Sequence, residues 1–220
     1  MDTRSETPPR RGRGRRPAGE VRARVLEATG RVLLAEGLGA VTFDRVSTLS
    51  GASRTTLYKW WPSPGALAAE AYFASSEETL EFPDTGDLLA DTRAQLRAFV
   101  GLLTGGPAGR IIAELIGAAQ QDPELFAALS ALYTQPRRAL ARESFERARR
   151  RGQLRADVDA DLLVDQLWGA CYHRLLTLES GLDVGVADAL VHSALLGAAS
   201  PDYRARLLAE EAEPPAECAP

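Results

Sequence analysis

The chain is poor in the residues that mark several protein classes. Its two cysteines, Cys171 and Cys218, lie far apart, so a disulfide framework is not expected. No run of 18 apolar residues occurs, which leaves no transmembrane helix. The arginine-rich N-terminus is not followed by an apolar stretch, so it does not read as a secretory signal, and the cytoplasm is the expected location. β-Branched residues are sparse, no segment alternates with period two over a strand's length, and no internal repeat is present. There is no phosphate loop, no Ser-His-Asp order and no paired carboxylates in a Gly-rich setting, so no enzyme and no cofactor are expected. Cys171 and His173 are two apart on a helix, about 200° around its axis, and do not share a face. No metal site is expected.

What is present is divided unevenly. Residues 1–60 hold a clear excess of cations, residues 61–220 a clear excess of carboxylates, and the net charge of −4 conceals that split. Such asymmetry points to a basic module for a polyanion joined to an acidic body. Residues 1–17 mix Arg10, Arg11, Arg13, Arg15 and Arg16 with Gly and Pro and are expected to be a disordered basic arm. From Glu20 on, Val21, Val25, Ala28 and Val32 form one helical stripe ending near Gly37. Thr42 is placed as an N-cap before Phe43, Val46 and Leu49, with a stop at Gly51. Ser53 is a second N-cap, and Pro62 ends its helix near residue 60. Ser63-Pro64 and Asp122-Pro123 each read as N-cap and N1. The remaining helices are expected over 64–82, 86–104, 108–120, 123–151 with a kink or break at Pro136, 159–179 and 184–198, with a frayed tail after about 209. The fold expected is all-α. It comprises the arm 1–17, a helix-turn-helix DNA-binding domain 18–63, a ligand-binding and dimerisation domain 64–200, and a C-terminal tail 201–220.

Residues 42–60 therefore read as helix, tight turn, helix, with the second helix as the candidate reader of double-stranded DNA. It carries the chain's single lysine, Lys59. Arg54 can make a bidentate contact to guanine. Thr55 offers a methyl group to thymine and a hydroxyl to phosphate. Ser53 and the free amides beside it favour an anion. Tyr58 combines a packing ring with a polar end, and Lys59 supplies a point charge for the backbone. Leu57 and Trp61, four apart, are expected to hold the helix onto its neighbours, and Gly51 and Ala52 to permit the turn.

Thr42-Phe43 with Val46, then Ser50-Gly51-Ala52-Ser53, Thr56-Leu57-Tyr58, Pro62-Ser63 and Leu67, resemble the DNA-binding domain of the tetracycline-repressor (TetR) family. Val25-Leu26-Glu27-Ala28 and Glu36-Gly37 fit its first helix. The resemblance implies a homodimer joined through its last two long helices, a palindromic operator, and a small-molecule effector that moves the fourth helix. By matching position it assigns Thr42, Ser53, Thr55, Thr56 and Tyr58 to backbone or base contacts and Arg54 to bases. It also places Phe99, Leu103, Phe126, Tyr133, Trp168 and Tyr172 on the helices that line the family's pocket. No cluster of charges marks an ionic site, so the effector is expected to be mostly apolar. The expected function is a ligand-responsive, sequence-specific regulator, a repressor released by its ligand. The sequence departs from the family pattern at Trp60, Trp61 and Pro64-Gly65. Trp60 and Pro64-Gly65 support one alternative, a ligand- or protein-binding helical dimer with a degenerate helix-turn-helix.

Overall fold

The protein's structure, a computed structural model, describes residues 17–74, 82–178 and 181–212. The arginine-rich arm lies almost wholly outside these residues. The described chain folds into α1 (Ala18–Glu36), α2 (Phe43–Ser50), α3 (Arg54–Trp60), α4 (Pro64–Ala74), α5 (Leu88–Thr104), α6 (Ala108–Ala119), α7 (Pro123–Leu129), α8 (Gln135–Arg150), α9 (Ala160–Val164), α10 (Ala170–Thr177), α11 (Val184–Ala198) and α12 (Pro201–Ala212). Among the described residues there is no strand, only an isolated bridge between Leu154 and Ala199. No single described helix is long and apolar enough to cross a membrane.

Local chemistry sets the helix starts. Thr42, Ser53, Asp87, Asp122, Asp159 and Asp183 each cap a helix, the side-chain oxygen accepting backbone N–H groups that the first turn leaves open. Ser63 does the same for α4, accepting from Ala66 N at 3.1 Å. Gly51, at φ 70°, ends α2 in the left-handed region that glycine adopts without strain.

In α2 the apolar periodicity predicts a buried Leu49, but its side chain is 52% exposed. Ser50 is buried instead, because its hydroxyl donates to Val46 O at 2.7 Å and so loses its demand for water. Pro136 produces neither a break nor a free kink. One π-helical turn, Ser130–Thr134, joins α7 to α8, with Gln135 N–H reaching back to Ser130 O. Proline lacks an N–H and crowds the carbonyl four residues earlier, so a wider turn just before it relieves both problems. A second π-helical turn, Asp165–Gly169, joins α9 to α10.

The C-terminal boundary differs from the sequence reading. Residues from Pro201 are helical, and Tyr203 and Leu207 are buried. Ser200 caps this helix, accepting from Tyr203 N at 3.3 Å. Tyr203 Oη donates to Asp87 Oδ1 at 2.6 Å and accepts from Leu89 N at 2.9 Å, so α12 ties down the start of α5.

Helices α1, α2 and α3 form the N-terminal unit, and α4 connects it to the rest. One continuous apolar core runs from Val25 through Leu57 and Leu67 to Leu195 and Leu207. Packing between α5 and α6 is tight at Gly109. A Cβ built there would lie 2.1 Å from Leu103 O and 3.3 Å from Leu175 Cδ1. Since the first of these is backbone, the helices themselves would have to move. Gly109→Ala is expected to lower stability by about 1–3 kcal/mol. A urea midpoint within error of the parent would refute this.

Candidate DNA-reading helix and effector cavity

The reading helix α3 stands on α2 through a tied turn. Ser47 Oγ donates to Ala52 O at 2.7 Å, and Ala52 N donates to Ser50 Oγ at 3.2 Å. Leu57 is fully buried and Trp61 nearly so, which fixes the inner face of α3. The outer face presents Ser53, Arg54, Thr55, Tyr58 and Lys59, all exposed, with Thr56 half-buried beside them and Thr42 exposed at the start of α2. Ser53 Oγ accepts from Thr56 N at 3.1 Å and pairs with Thr56 Oγ1 at 2.8 Å, so part of its hydrogen-bonding capacity holds the helix start. Thr42 Oγ1 likewise accepts from Arg45 N at 3.2 Å. The Tyr58 ring meets buried Phe43 edge-on at 4.6 Å, leaving its hydroxyl end outward.

Sequence reasoning missed one residue of this surface. Asp44, in the first turn of α2, pairs with Arg54, Nη1 to Oδ1 at 2.8 Å. The two are ten positions apart, and only the turn between the helices brings them together.

The departures from the family pattern have structural reasons. Trp61 Nε1 donates to Glu70 Oε2 at 2.8 Å. Arg22 donates to the same carboxylate at 3.1 and 2.7 Å, and its guanidinium lies 4.7 Å over the Trp61 ring. Trp60 meets Trp61 edge-on at 5.6 Å, and Arg22 extends to its ring at 6.0 Å. The tryptophan pair thus bolts α1, α3 and α4 together. At Gly65 a Cβ would come within 3.1 Å of Leu125 Cδ2 and 3.2 Å of Asp122 Oδ2, so a larger residue where α4 crosses α7 would push these side chains aside by a few tenths of an ångström.

The acidic body encloses a cavity of about 580 Å³. Phe99, Phe126, Tyr133, Trp168 and Tyr172 belong to its wall. Leu103 does not: it is buried in the core, its carbonyl against Gly109. Phe82, Gln95, Ile112, Ile116, Arg138 and Asp165 complete much of the wall and were not singled out in the sequence. Their signal was weak, because a cavity-facing side chain and a core side chain follow the same helical period. Both π-helical turns contribute to the wall, the first through Tyr133 and the second through Trp168. Each inserts an extra residue, which turns the following side chains around the axis, and such turns recur at functional sites.

Tyr172 Oη donates to Tyr133 Oη at 3.0 Å. Tyr133 stacks on Phe73 at 4.4 Å, and Phe99 meets Tyr172 edge-on at 5.4 Å. Burial pushes the Tyr172 hydroxyl well above the ordinary tyrosine value, and neighbouring Tyr133 adds to this. At Tyr133 burial also raises the value, opposed by the Tyr172 hydrogen bond and the Arg137 guanidinium. The wall's charges are largely balanced locally. Arg138 pairs with Asp165 and lies 3.0 Å from Asp161 Oδ1. Cys171 is buried beside the cavity wall, its thiol pushed up to about 11 by burial, and is not a reactive thiolate.

A three-helix unit that displays a cationic helix, carried on an all-helical body with an internal cavity, is the architecture of a one-component transcription regulator. Comparison with known proteins gives the family. Residues 82–194 match the model of the tetracyclin repressor-like C-terminal domain. A Bacillus subtilis protein described as the uncharacterized HTH-type transcriptional regulator YdeS is 31% identical, over 79% of this chain and 87% of its own. The DNA-binding transcriptional repressor TetR of Mycobacteroides abscessus is 32% identical, over 84% of this chain and 98% of its own. The crystal structure of the TetR family transcription regulator SCO0332 superposes with a TM-score of 0.73 at 57% identity, covering 81% of this chain and 98% of that one. The chain belongs to the TetR family and is a helix-turn-helix transcriptional regulator.

Proposed function

We propose that the protein is a homodimeric repressor that leaves a palindromic operator when a mostly apolar small molecule fills the cavity. The observation that carries this reading is that the cavity wall and the supports of the reading unit are built on the same two helices. Helix α6 gives Ile112 and Ile116 to the wall, while its Glu114 accepts from Leu38 N, just after α1, at 2.7 Å. Arg110 holds that carboxylate in place at 2.8 Å. Helix α7 gives Phe126 and Leu129 to the wall, while its capping Asp122 accepts from Ser63 Oγ, the cap of α4, at 3.1 Å. A ligand that displaces α6 or α7 therefore pulls on both ends of the reading unit's mounting. Only a ligand with different affinity for the two positions shifts the balance between them.

The dimer reading draws on α11. One face, Ala187, Val191, Leu195 and Ala198, is buried. The other face is also almost uncharged, with Val184, Ala189, Ser193 and Gly197 exposed and Leu190 and Leu196 half-buried. Apart from Asp188, which pairs with Arg93 and Arg97, and His192, this helix carries no ionisable side chain, and such an apolar exposed stretch calls for a second covering surface, which a second copy supplies with two-fold symmetry.

The test is selection of bound sequences from a random duplex pool by the purified full-length protein. An enriched palindrome with half-sites about one helical turn apart is expected. Binding that is only salt-sensitive and non-specific would favour the degenerate helix-turn-helix instead.

A further inference from the structure

The cavity wall specifies its occupant beyond apolar character, given that the cavity is the effector site. Six aromatic side chains face this one space: Phe82, Phe99, Phe126, Tyr133, Trp168 and Tyr172. Phe82 leans on Trp168 at 5.7 Å, and Phe99 on Tyr172 at 5.4 Å, so the rings present both edges and faces inward. Such a wall suits another ring system, through offset-stacked and edge-on contacts. Polar side chains also line it, Gln95, Ser130, Thr134 and Arg137 among them, and within this set the tyrosine pair is directed by a contact of its own. The Tyr172 hydroxyl spends its proton on Tyr133 Oη, and no described residue accepts the remaining proton of Tyr133. Tyr133 is thus a donor aimed by its partner and held by its stack on Phe73. The wall holds two arginines, Arg137 and Arg138; Arg138 is matched by Asp165 and Asp161, and an ion left unpaired in this interior would go unsolvated, so a neutral occupant is favoured.

We propose that the effector is a neutral molecule of two to four aromatic rings that carries a ketone-like acceptor oxygen, and that Tyr133 donates to this oxygen. Tyr172 acts as the positioning residue, fixing which way the Tyr133 proton points. Phe126 and Leu176, both in the wall, are 58% and 43% exposed, so the cavity is reached by solvent beside them.

The experiment uses matched pairs that differ only in the acceptor, fluorenone against fluorene and benzanthrone against its parent hydrocarbon, with fluorene-9-carboxylate as the anionic arm. Binding to the full-length protein is read from tryptophan emission and confirmed by calorimetry. Each ketone is expected to bind about tenfold more tightly than its hydrocarbon, the effect of one well-placed hydrogen bond. Tyr133→Phe keeps the ring and its stack. It is expected to abolish the ketone's advantage over its hydrocarbon, and an unchanged circular dichroism spectrum shows that the variant is folded. Tyr172→Phe is expected to reduce the advantage by a smaller factor. Equal affinity for ketone and hydrocarbon would overturn the donor role and leave the cavity as an apolar effector site. Tighter binding of the carboxylate would overturn the neutral class. A panel in which nothing binds would overturn the inference, while the effector reading of the cavity stands or falls separately, on whether small molecules release the protein from its selected operator.

Discussion

Trp61→Ala is expected to lower the unfolding free energy by about 3–5 kcal/mol, the range for removing a large aromatic from a closed core. The indole is 3% exposed, and its loss opens a cavity where three helices meet. Packing is only part of the effect. Glu70 Oε2 loses the Trp61 Nε1–H donor, and the Arg22 guanidinium loses the ring beneath it at 4.7 Å. Trp61→Phe separates the contributions. It retains most of the packing and the cation–ring contact but no N–H, so a smaller loss of about 1–2 kcal/mol is expected. Urea unfolding followed by circular dichroism measures both. Equal losses for the two variants would show that the hydrogen bond to Glu70 dominates, and a negligible loss for Ala would refute the account of why tryptophan stands here.

Arg54→Ala is expected to cost about 1–3 kcal/mol of discrimination at one base pair in each half-site, with little change in stability. The side chain is exposed and its ion pair with Asp44 is a surface pair, which contributes little to folding. Its value lies in direction: a carboxylate at 2.8 Å holds the guanidinium fork on the outer face of the unit. Asp44→Ala is therefore expected to weaken discrimination at the same base pair while raising affinity for all sequences, because a negative charge leaves a surface that meets phosphate. Competition binding against single-base operator variants reads both effects. A uniform weakening across all variants for Arg54→Ala would make Arg54 a phosphate contact.

The reading unit was legible because its signals are local. Thr42 and Ser53 cap within three residues, Gly51 turns the chain, and Leu57 and Trp61 share a face by spacing alone. Signals that depend on distant partners were not. Nothing near Ser50 announces that it, rather than Leu49, goes inside. Asp44 looks like an ordinary first-turn carboxylate until the turn folds Arg54 back onto it. The C-terminal helix was a different kind of omission. Ser200-Pro201 repeats the signature of Ser63-Pro64, and Tyr203 and Leu207 are four apart, but a Pro/Glu/Ala-rich ending masked both. In the cavity, five of the six residues placed on the pocket helices do face it. Leu103 does not, because helical period tells inside from outside but not core from cavity.

The crossing of α4 over α7 at Gly65 bears on how freely such proteins can exchange parts. A hybrid that joins residues up to Trp61 of this chain to the body of a relative would keep the reading helix intact. It would also set a foreign α4 onto its own α7 and make the Arg22–Trp61–Glu70 anchor depend on the residue that the relative carries at the Glu70 position. Extending the graft through Ala74 brings Glu70 but sets Gly65 against a helix that was not shaped for it. A seam after Leu129 would carry Glu114, Asp122 and Leu125 along with the helices they support, and would divide the cavity wall between the two parents. The unit of inheritance for sequence recognition is thus larger than the part that touches DNA.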